Sequence, residues 1–109
     1  MIKIEDFKKV DMRVGTIIEA KINEKAKKKA YKIKIDFGKE LGIKTSSAQI
    51  TKLYKEEELI GRQVVAIVNF PPLQIADVKS EVLILGVETE EGVVLLDLER
   101  KVENGLKIS

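Results

Sequence analysis

The sequence predicts one all-β domain built around a five-stranded barrel. Several separate segments alternate apolar with polar residues, which is typical of strands that are buried on one face. Turn residues interrupt these segments roughly every ten residues, and one segment with helical spacing precedes the fourth predicted strand. A chain of 109 residues fits a single domain. We therefore expect one module over residues 1–109.

The first predicted elements are a helical turn and a long strand. Residues 6–10 are typical of one helical turn, and the pattern changes to period two from Asp11. Gly15 indicates a bulge or a sharp bend, which a strand needs when it curls into a small barrel. One face of this strand is expected to carry a shared set of side chains, namely Met12, Val14, Thr16, Ile18, Ala20 and Ile22.

The second strand is predicted to bury one face and to expose lysines on the other. Its outward residues include Lys32 and Lys34. A turn between Gly38 and Gly42 separates it from a short third strand over residues 43–47, which has a polar end. The inward set of the second strand is Tyr31, Ile33, Ile35 and Phe37.

A short helix is predicted between the third and fourth strands. Ile50, Leu53 and Tyr54 have the i, i+3, i+4 spacing of a helical face. Residues 55–59 add a second turn before Gly61 ends the helix.

The C-terminal half is predicted to complete the barrel. Residues 64–70 are almost continuously apolar and indicate a strand buried on both faces, which the following prolines end. Residues 82–87 and 93–98 are the last two strands, joined by an acidic hairpin in which Gly92 supplies a positive φ. This pattern favours a Greek-key barrel of the OB type, while an SH3-like barrel or a small sandwich remain alternatives.

Composition argues against most classes of enzyme. The chain has no Cys and no His, which removes thiol nucleophiles, imidazole bases and the commonest metal ligands. The remaining Ser, Lys and carboxylate groups form no recognisable catalytic motif. We therefore expect no catalytic residue, no metal and no cofactor. No apolar run has the length of a bilayer span, so we expect a cytoplasmic protein without membrane insertion.

Charge is distributed unevenly although the net charge is only +2. Positive charge is concentrated in residues 25–34, and negative charge in residues 56–58 and 88–91. A cationic cluster attracts phosphates and releases their counterions on binding. A solvated loop and strand face is the alternative interpretation of the same lysines.

The sequence contains five motif segments, at residues 10–17, 31–38, 44–50, 69–72 and 80–83. Together they resemble the tRNA-binding-domain family, in its CsaA branch. The resemblance covers essentially the whole chain and implies an OB fold, a homodimer and binding rather than catalysis. In the Ser-Gln-Gly-Met segment of the wider family only Ser80 matches, because Glu81, Val82 and Leu83 replace the other three residues.

The resemblance implies two alternative functions. CsaA-like proteins resemble homodimeric, export-related chaperones that bind unfolded or precursor polypeptides. The wider family holds tRNA on an OB face and its adjoining loops, and this chain would then act as a tRNA-binding module in trans. We expect a homodimer because apolar residues near both termini have little monomer surface to cover, namely Ile2, Ile4, Val102, Leu106 and Ile108.

Two sets of candidate binding residues follow. Each set also has a purely structural interpretation. The lysines would form a charged outer face, the serines would be turn or capping groups, and Asn69 would make a structural hydrogen bond. The apolar residues would be ordinary core and turn. The nucleic-acid set is Lys27, Lys28, Lys29, Lys32, Lys34, Ser47, Asn69 and Ser80. The peptide set is Phe70, Pro71, Pro72, Ile75 and Leu83.

Overall fold

Five antiparallel strands, in the order β3-β2-β1-β4-β7, form the main sheet of the computed structural model, which describes residues 1–109. Two hairpins, β5–β6 and β8–β9, complete the β structure. The helices are α1 (Ile4–Lys8), α2 (Gly38–Leu41) and α3 (Glu56–Leu59). The strands are β1 (Met12–Ile22), β2 (Tyr31–Asp36), β3 (Ile43–Ala48), β4 (Gln63–Ile67), β5 (Leu73–Ile75), β6 (Val78–Ser80), β7 (Leu83–Ile84), β8 (Gly86–Thr89) and β9 (Gly92–Leu95).

A bulge in β1 changes which side chains face the core. The register against β2 shifts between Ile17 and Glu19. Ile17 is therefore fully buried, whereas Ile18 is 43% exposed. The prediction of one shared face from Met12 to Ile22 is wrong, because Gly15 and Ile17 face the core before the bulge and Ala20 faces it afterwards.

Gly15 is buried inside the barrel and lies just before the bulge. A Cβ atom at this position would lie 2.5 Å from Ile35 Cγ2 and 2.8 Å from Phe37 Cδ1. The glycine thus makes room for two large core side chains where the strand curls. The bulge or bend expected at Gly15 lies instead between Ile17 and Glu19.

The core follows the predicted face of β2. Ile33, Ile35 and Phe37 are fully buried, and Tyr31 is nearly so. They pack with a single cluster whose other members are Ile17, Ala20, Ile50, Leu59, Val64, Ala66, Val82 and Leu95. This part of the sequence-based prediction is confirmed.

The segment between β3 and β4 is less helical than predicted. Residues 51–53 form turns, and only α3 is helical. The Tyr54 carbonyl oxygen accepts a hydrogen bond from the Tyr31 hydroxyl at 2.7 Å, and Lys55 has extended backbone angles. The predicted helix over residues 50–54 is therefore wrong, because Tyr54 is tied to the barrel rather than to its own helix. Gly61 follows α3 with a φ of +88°, as expected for a residue that ends a helix.

The N-terminal helix begins earlier than predicted. The Asp6 side chain accepts a hydrogen bond from the Lys3 backbone N–H at 2.9 Å, so α1 starts at Ile4 rather than near Asp6. None of its residues is buried.

All five residues of β4 are buried, which confirms a strand covered on both faces. It ends at Ile67 instead of Phe70. The Val68 N–H still donates to the Asp11 carbonyl at 2.8 Å, but the Asp11 N–H donates to the Asn69 side chain at 2.9 Å, so backbone pairing stops there. The predicted strand over residues 82–87 is divided at Leu85 into β7 and β8. The acidic β8–β9 hairpin is confirmed, with Gly92 at a φ of +141°.

The barrel is nearly closed by hydrogen bonds between β3 and residues 80–82, which we call the seam. The Glu81 N–H donates to the Thr45 carbonyl at 2.7 Å, and the Ser46 hydroxyl donates to the Val82 carbonyl at 2.9 Å. The Ser47 N–H donates to the Ser80 hydroxyl oxygen at 3.0 Å. The predicted five-stranded barrel is thus confirmed, although the β5–β6 hairpin that precedes the seam was not predicted.

The C-terminal tail (residues 101–109) lies along the first half of β1. The Gly105 N–H donates to the Val14 carbonyl at 2.7 Å, and the Val14 N–H donates to the Leu106 carbonyl at 3.0 Å. A third bond joins the Ile108 N–H to the Met12 carbonyl at 2.9 Å. The tail backbone is therefore hydrogen-bonded to the barrel of the same chain. The helices are all short, and none has the length and apolar character needed to span a bilayer.

Candidate functional site

The outward face of β2 and β3 carries the predicted strand lysines. Lys32 pairs with Ser47 across these strands, and Lys34 pairs with Thr45. The Lys34 Nζ atom lies 3.5 Å from a Glu19 carboxylate oxygen, whereas Lys32 makes no ion pair. Contacts with Lys21 first and Lys34 second lower the pKa of Glu19. The charge of Lys32 is therefore not compensated by a neighbouring carboxylate, whereas the charge of Lys34 is partly compensated by Glu19.

The β1–β2 loop, which holds the basic run, is organised by Asn23. Its N–H donates to the Ala30 carbonyl at 2.9 Å, and its side-chain oxygen accepts the Lys25 N–H at 3.2 Å. Asn23 is only 7% exposed, and its Nδ2 group is buried without a hydrogen-bond partner. The sequence analysis did not select this residue, although an Asn that begins a polar turn is a recognised signal of an Asx turn.

A cleft of about 490 Å³, here the basic cleft, lies between this loop and the β5–β6 hairpin. An ion pair of 3.5 Å between Lys25 and Asp77 links the loop to the tip of the hairpin. Ala76 at that tip has a φ of +53°, an uncommon conformation for a residue other than glycine. The residues that line the cleft are Lys25, Ala26, Lys27, Lys28, Ala30, Ser47, Gln49, Gln74, Ile75 and Ala76.

The basic cleft brings together part of both predicted sets. Lys27, Lys28 and Ser47 lie in it as candidate phosphate or backbone contacts, and Ile75 joins them although it was assigned to the peptide set. Lys32 lines a neighbouring cleft of about 280 Å³ together with Lys21, Lys25 and Asn23. Lys29 is exposed outside the lining residues, and Lys34 lies farther along the sheet beside Ile18 and Ile43.

A second cleft of about 490 Å³, here the apolar cleft, opens where β3 meets β7, β8 and β9. It contains Leu83 from the predicted peptide set, which is half exposed. Ser47 and Gln49 line both clefts, so the two are adjacent, and together they are here called the groove. The other residues lining the apolar cleft are Ala48, Ile50, Ile84, Leu85, Gly86, Glu88, Val93 and Leu95.

The remaining peptide candidates form an exposed apolar segment, residues 70–73. Phe70 is 49% exposed and Leu73 is 63% exposed, and both prolines between them face solvent. Leu73 pairs with Ser80, which in turn contacts Ser47 in the groove. The exposed apolar segment therefore leads directly into the hairpin that walls the basic cleft.

Asn69 and Ser80 both make hydrogen bonds within the chain, although Asn69 is exposed and Ser80 is only partly buried. The Asn69 side chain accepts the Asp11 N–H at 2.9 Å and donates to the Lys9 carbonyl at 2.8 Å. Ser80 accepts the Ser47 N–H, as described for the seam. The Glu81 carboxylate accepts the Thr45 N–H at 3.1 Å, so its charge is directed at the seam.

Known proteins share the sequence and the fold of this chain. Residues 12–107 match the family model described as "Putative tRNA binding domain". The chain belongs to the tRNA-binding-domain family. Within it, the chain is 52% identical to the chaperone CsaA of Bacillus anthracis, with a TM-score of 0.93 and coverage of 100% of this chain and 99% of that one. The CsaA chaperone protein of Picrophilus torridus is also 52% identical, with a TM-score of 0.95 and full coverage of both chains.

The tRNA-binding-domain family also includes parts of larger proteins. The methionine–tRNA ligase of Pyrococcus horikoshii is 39% identical over 107 residues, which cover 98% of this chain and 14% of the ligase. The chain thus spans about 14% of the length of this curated relative. The predicted family and its CsaA branch are confirmed, and the chain is a binding module rather than a catalytic domain.

The groove of this tRNA-binding-domain chain offers three kinds of contact. Lysine ammonium groups attract phosphates or carboxylates, Ser47 and Gln49 offer hydrogen bonds, and the apolar cleft offers a surface for aliphatic or aromatic side chains. No group of three or more acidic side chains is placed to hold a metal ion. The arrangement therefore suits the binding of a long polar chain with apolar substituents.

Proposed function

We propose that the chain is a CsaA-like chaperone that binds unfolded or precursor polypeptides in the groove. The observation that carries this proposal is that the apolar cleft lies next to a lysine-lined cleft, with Ser47 and Gln49 lining both. An unfolded polypeptide presents both apolar side chains and charged groups, so it complements such a groove. The proposed contacts are Leu83 and Ile75 in the groove, with Phe70, Pro71 and Pro72 beside it.

Two structural properties support a polypeptide client. The exposed apolar segment keeps a phenylalanine and a leucine in solvent, and contiguous exposed apolar surface commonly marks an interaction site. Two structures that match this chain at 52% identity over essentially the full length of both chains are of proteins named CsaA chaperones. A match of this extent and identity favours the same class of ligand.

We also propose that the chaperone is a homodimer. α1 buries none of its residues, and Ile4 is 61% exposed. Leu106 is half exposed, although the tail backbone is bonded to β1. A second copy would cover these apolar side chains and would place two grooves in one particle.

The polypeptide proposal is tested by fluorescence anisotropy with a labelled unfolded precursor peptide. Leu83→Glu places a charge in the apolar cleft and is expected to weaken binding roughly tenfold, because one large apolar contact is lost. Ile60→Glu is the matched control, since Ile60 is similarly exposed but does not line the groove. The affinity of the wild-type chain should change little with salt, because burial of apolar surface is not screened. Equal losses in the two variants would contradict the proposal.

tRNA is the second candidate ligand, and the position of the basic cleft favours it. The β1–β2 loop and the segment between β4 and β7 flank the sheet face on which OB barrels bind oligonucleotides. Lys27, Lys28 and Lys29 would contact phosphates from the loop, and Lys32 and Lys34 from the strand. Ser47 would bond to sugar or phosphate oxygens, while Asn69 and Ser80 would hold the surrounding loops in place.

Salt dependence separates the two candidates. Labelled tRNA is titrated at low and physiological salt with the wild-type chain, with Lys28→Ala plus Lys32→Ala, and with the control Lys39→Ala on α2. If tRNA is the ligand, the logarithm of its association constant falls linearly with the logarithm of the salt concentration. The magnitude of this slope should decrease by about one for each phosphate contact removed. Tight tRNA binding with this change, while the precursor peptide stays free, would replace the chaperone proposal with the tRNA proposal. Unchanged tRNA affinity in the double variant would remove the second candidate.

A further inference from the structure

We propose that Asn104 is a site of spontaneous deamidation whose rate is controlled by docking of the C-terminal tail. Asn104 is followed by Gly105, which has no side chain to hinder attack by its backbone nitrogen. Both residues lie where the tail joins β1. The proposal does not depend on which ligand occupies the groove.

The reaction needs only water. The Gly105 nitrogen attacks the Asn104 side-chain carbonyl carbon, Cγ, and forms a new N–Cγ bond. The Cγ–Nδ2 bond breaks, and the amide nitrogen leaves as ammonia together with the proton of the attacking nitrogen. Water then opens the resulting succinimide ring at one of its two carbonyl groups, which produces either aspartate or isoaspartate at position 104.

The fold requires both members of this vulnerable pair. Gly105 has a φ of +90°, and a Cβ atom there would lie 2.5 Å from the Phe37 carbonyl oxygen. The Asn104 side-chain oxygen accepts hydrogen bonds from the Thr16 hydroxyl at 2.7 Å and from Gln63 Nε2 at 3.1 Å. Replacing either residue would therefore disturb the junction between the tail and the barrel.

Docking of the tail protects the pair from reaction. The Gly105 nitrogen must attack, but its N–H donates a hydrogen bond to the Val14 carbonyl at 2.7 Å. This hydrogen bond therefore has to open before the reaction. The Asn104 side-chain oxygen is also held by its two donors, which restrains movement of Cγ toward the nitrogen. The rate in the folded chain should therefore follow the fraction of molecules with an open tail.

The two products should differ in their effect on the tail. Aspartate keeps the oxygen that Thr16 and Gln63 contact, and the Nδ2 group that is lost makes no hydrogen bond in the structure. Isoaspartate lengthens the main chain by one methylene group before Gly105. The bonds that join Leu106 and Ile108 to β1 would then lose their register. Isoaspartate is thus expected to undock the tail.

The rate is tested by incubating the full chain in buffer and, separately, in a denaturing concentration of urea. Mass spectrometry and peptide mapping measure conversion at position 104. The folded chain should react about tenfold more slowly than the denatured chain, because the tail must open before attack. Thr16→Val should speed the reaction of the folded chain, whereas the control Thr51→Val should not. Equal rates in the folded and denatured wild-type chain would overturn the proposal without recourse to any variant.

The effect of the product is tested by hydrogen exchange. Purified isoaspartate-containing chain should lose protection at the amides of Val14 and Ile108, while Asn104→Asp should keep it. Retained protection in the isoaspartate-containing chain would show that the modification leaves the tail docked, and would overturn the structural part of the proposal.

Discussion

Tyr31 shows how one side chain joins the core to the surface at the residue scale. Its ring packs in the core cluster, and its hydroxyl donates to the Tyr54 carbonyl at 2.7 Å. Burial first, and then the charges of Glu56, Glu57 and Glu58, raise the pKa of the hydroxyl from its usual value of 10.0. The folded chain therefore holds this proton more tightly than the unfolded chain does.

The free energy of unfolding should consequently fall at alkaline pH, because the Tyr31 hydroxyl ionises more readily in the unfolded chain. A folded-state pKa that is raised contributes stability below the unfolded pKa of about 10, and this contribution is lost as pH rises through the folded pKa. Urea unfolding between pH 8 and pH 11 should show a steeper fall in the free energy of unfolding for the wild-type chain than for Tyr31→Phe. At neutral pH the variant should cost about 1 kcal/mol, because the Tyr54 carbonyl loses its donor. Parallel pH profiles of the two chains would contradict this assignment.

Glycine is required for different reasons at positions 15 and 61: at Gly15 there is no space for a side chain, and at Gly61 the backbone has a positive φ. Gly15→Ala should lower the free energy of unfolding by about 1–3 kcal/mol, because its Cβ would overlap Ile35 and Phe37 in the core. Gly61→Ala has open space around it and should cost about 1–2 kcal/mol through its positive φ alone. Urea midpoints measure both. A Gly15→Ala chain as stable as the wild type would mean that the core relaxes around the added methyl group.

At the element scale, the seam depends on side chains as much as on strands. β3 and residues 80–82 share backbone bonds, but Ser46, Ser80 and Glu81 supply the remaining contacts with their side chains. The Glu81 carboxylate thus accepts the Thr45 N–H in place of a backbone carbonyl. A sequence pattern of alternating burial does not reveal such bonds.

Ser80→Ala tests the importance of the seam. It leaves the Ser47 N–H without its acceptor and should cost about 1–2 kcal/mol. Hydrogen exchange at the Ser47 amide should accelerate, while the exposed neighbour Lys79→Ala should stay within about 0.5 kcal/mol of the wild type. If Ser80→Ala weakens ligand binding while leaving stability and exchange unchanged, then Ser80 contacts the ligand directly.

At the scale of the whole molecule, apolar side chains near both termini remain in solvent. Ile2 and Ile4 are mostly exposed, and Leu106 is half exposed. A small barrel has little further surface with which to cover them. These side chains are the basis of the proposed homodimer.

The dimer is measured by sedimentation equilibrium at micromolar concentration. The monomer has a mass of 12.3 kDa, and the wild-type chain should sediment with twice that mass. Ile4→Glu plus Leu106→Glu should give monomers, because two charges would be buried without partners at the interface. Val87→Glu is the control, since Val87 is similarly exposed on the β8–β9 hairpin. A monomeric wild-type chain would contradict the dimer without affecting the fold.

The sequence by itself determined the barrel, the inward face of β2, the doubly buried β4 and the acidic hairpin. These features depend on local periodicity and on turn residues, which are readable along the chain. The motifs also determined the family.

Only the tertiary structure decided which side chains meet. The bulge after Ile17 divided the expected single face of β1 between the two sides of the strand, and the Tyr31–Tyr54 hydrogen bond replaced a predicted helical turn. The groove joins Lys27, Ser47 and Leu83 from distant segments, and the tail finds its place on β1. Such contacts depend on register and on long-range hydrogen bonds. A shift of one residue changes them completely while leaving the local pattern of the sequence the same.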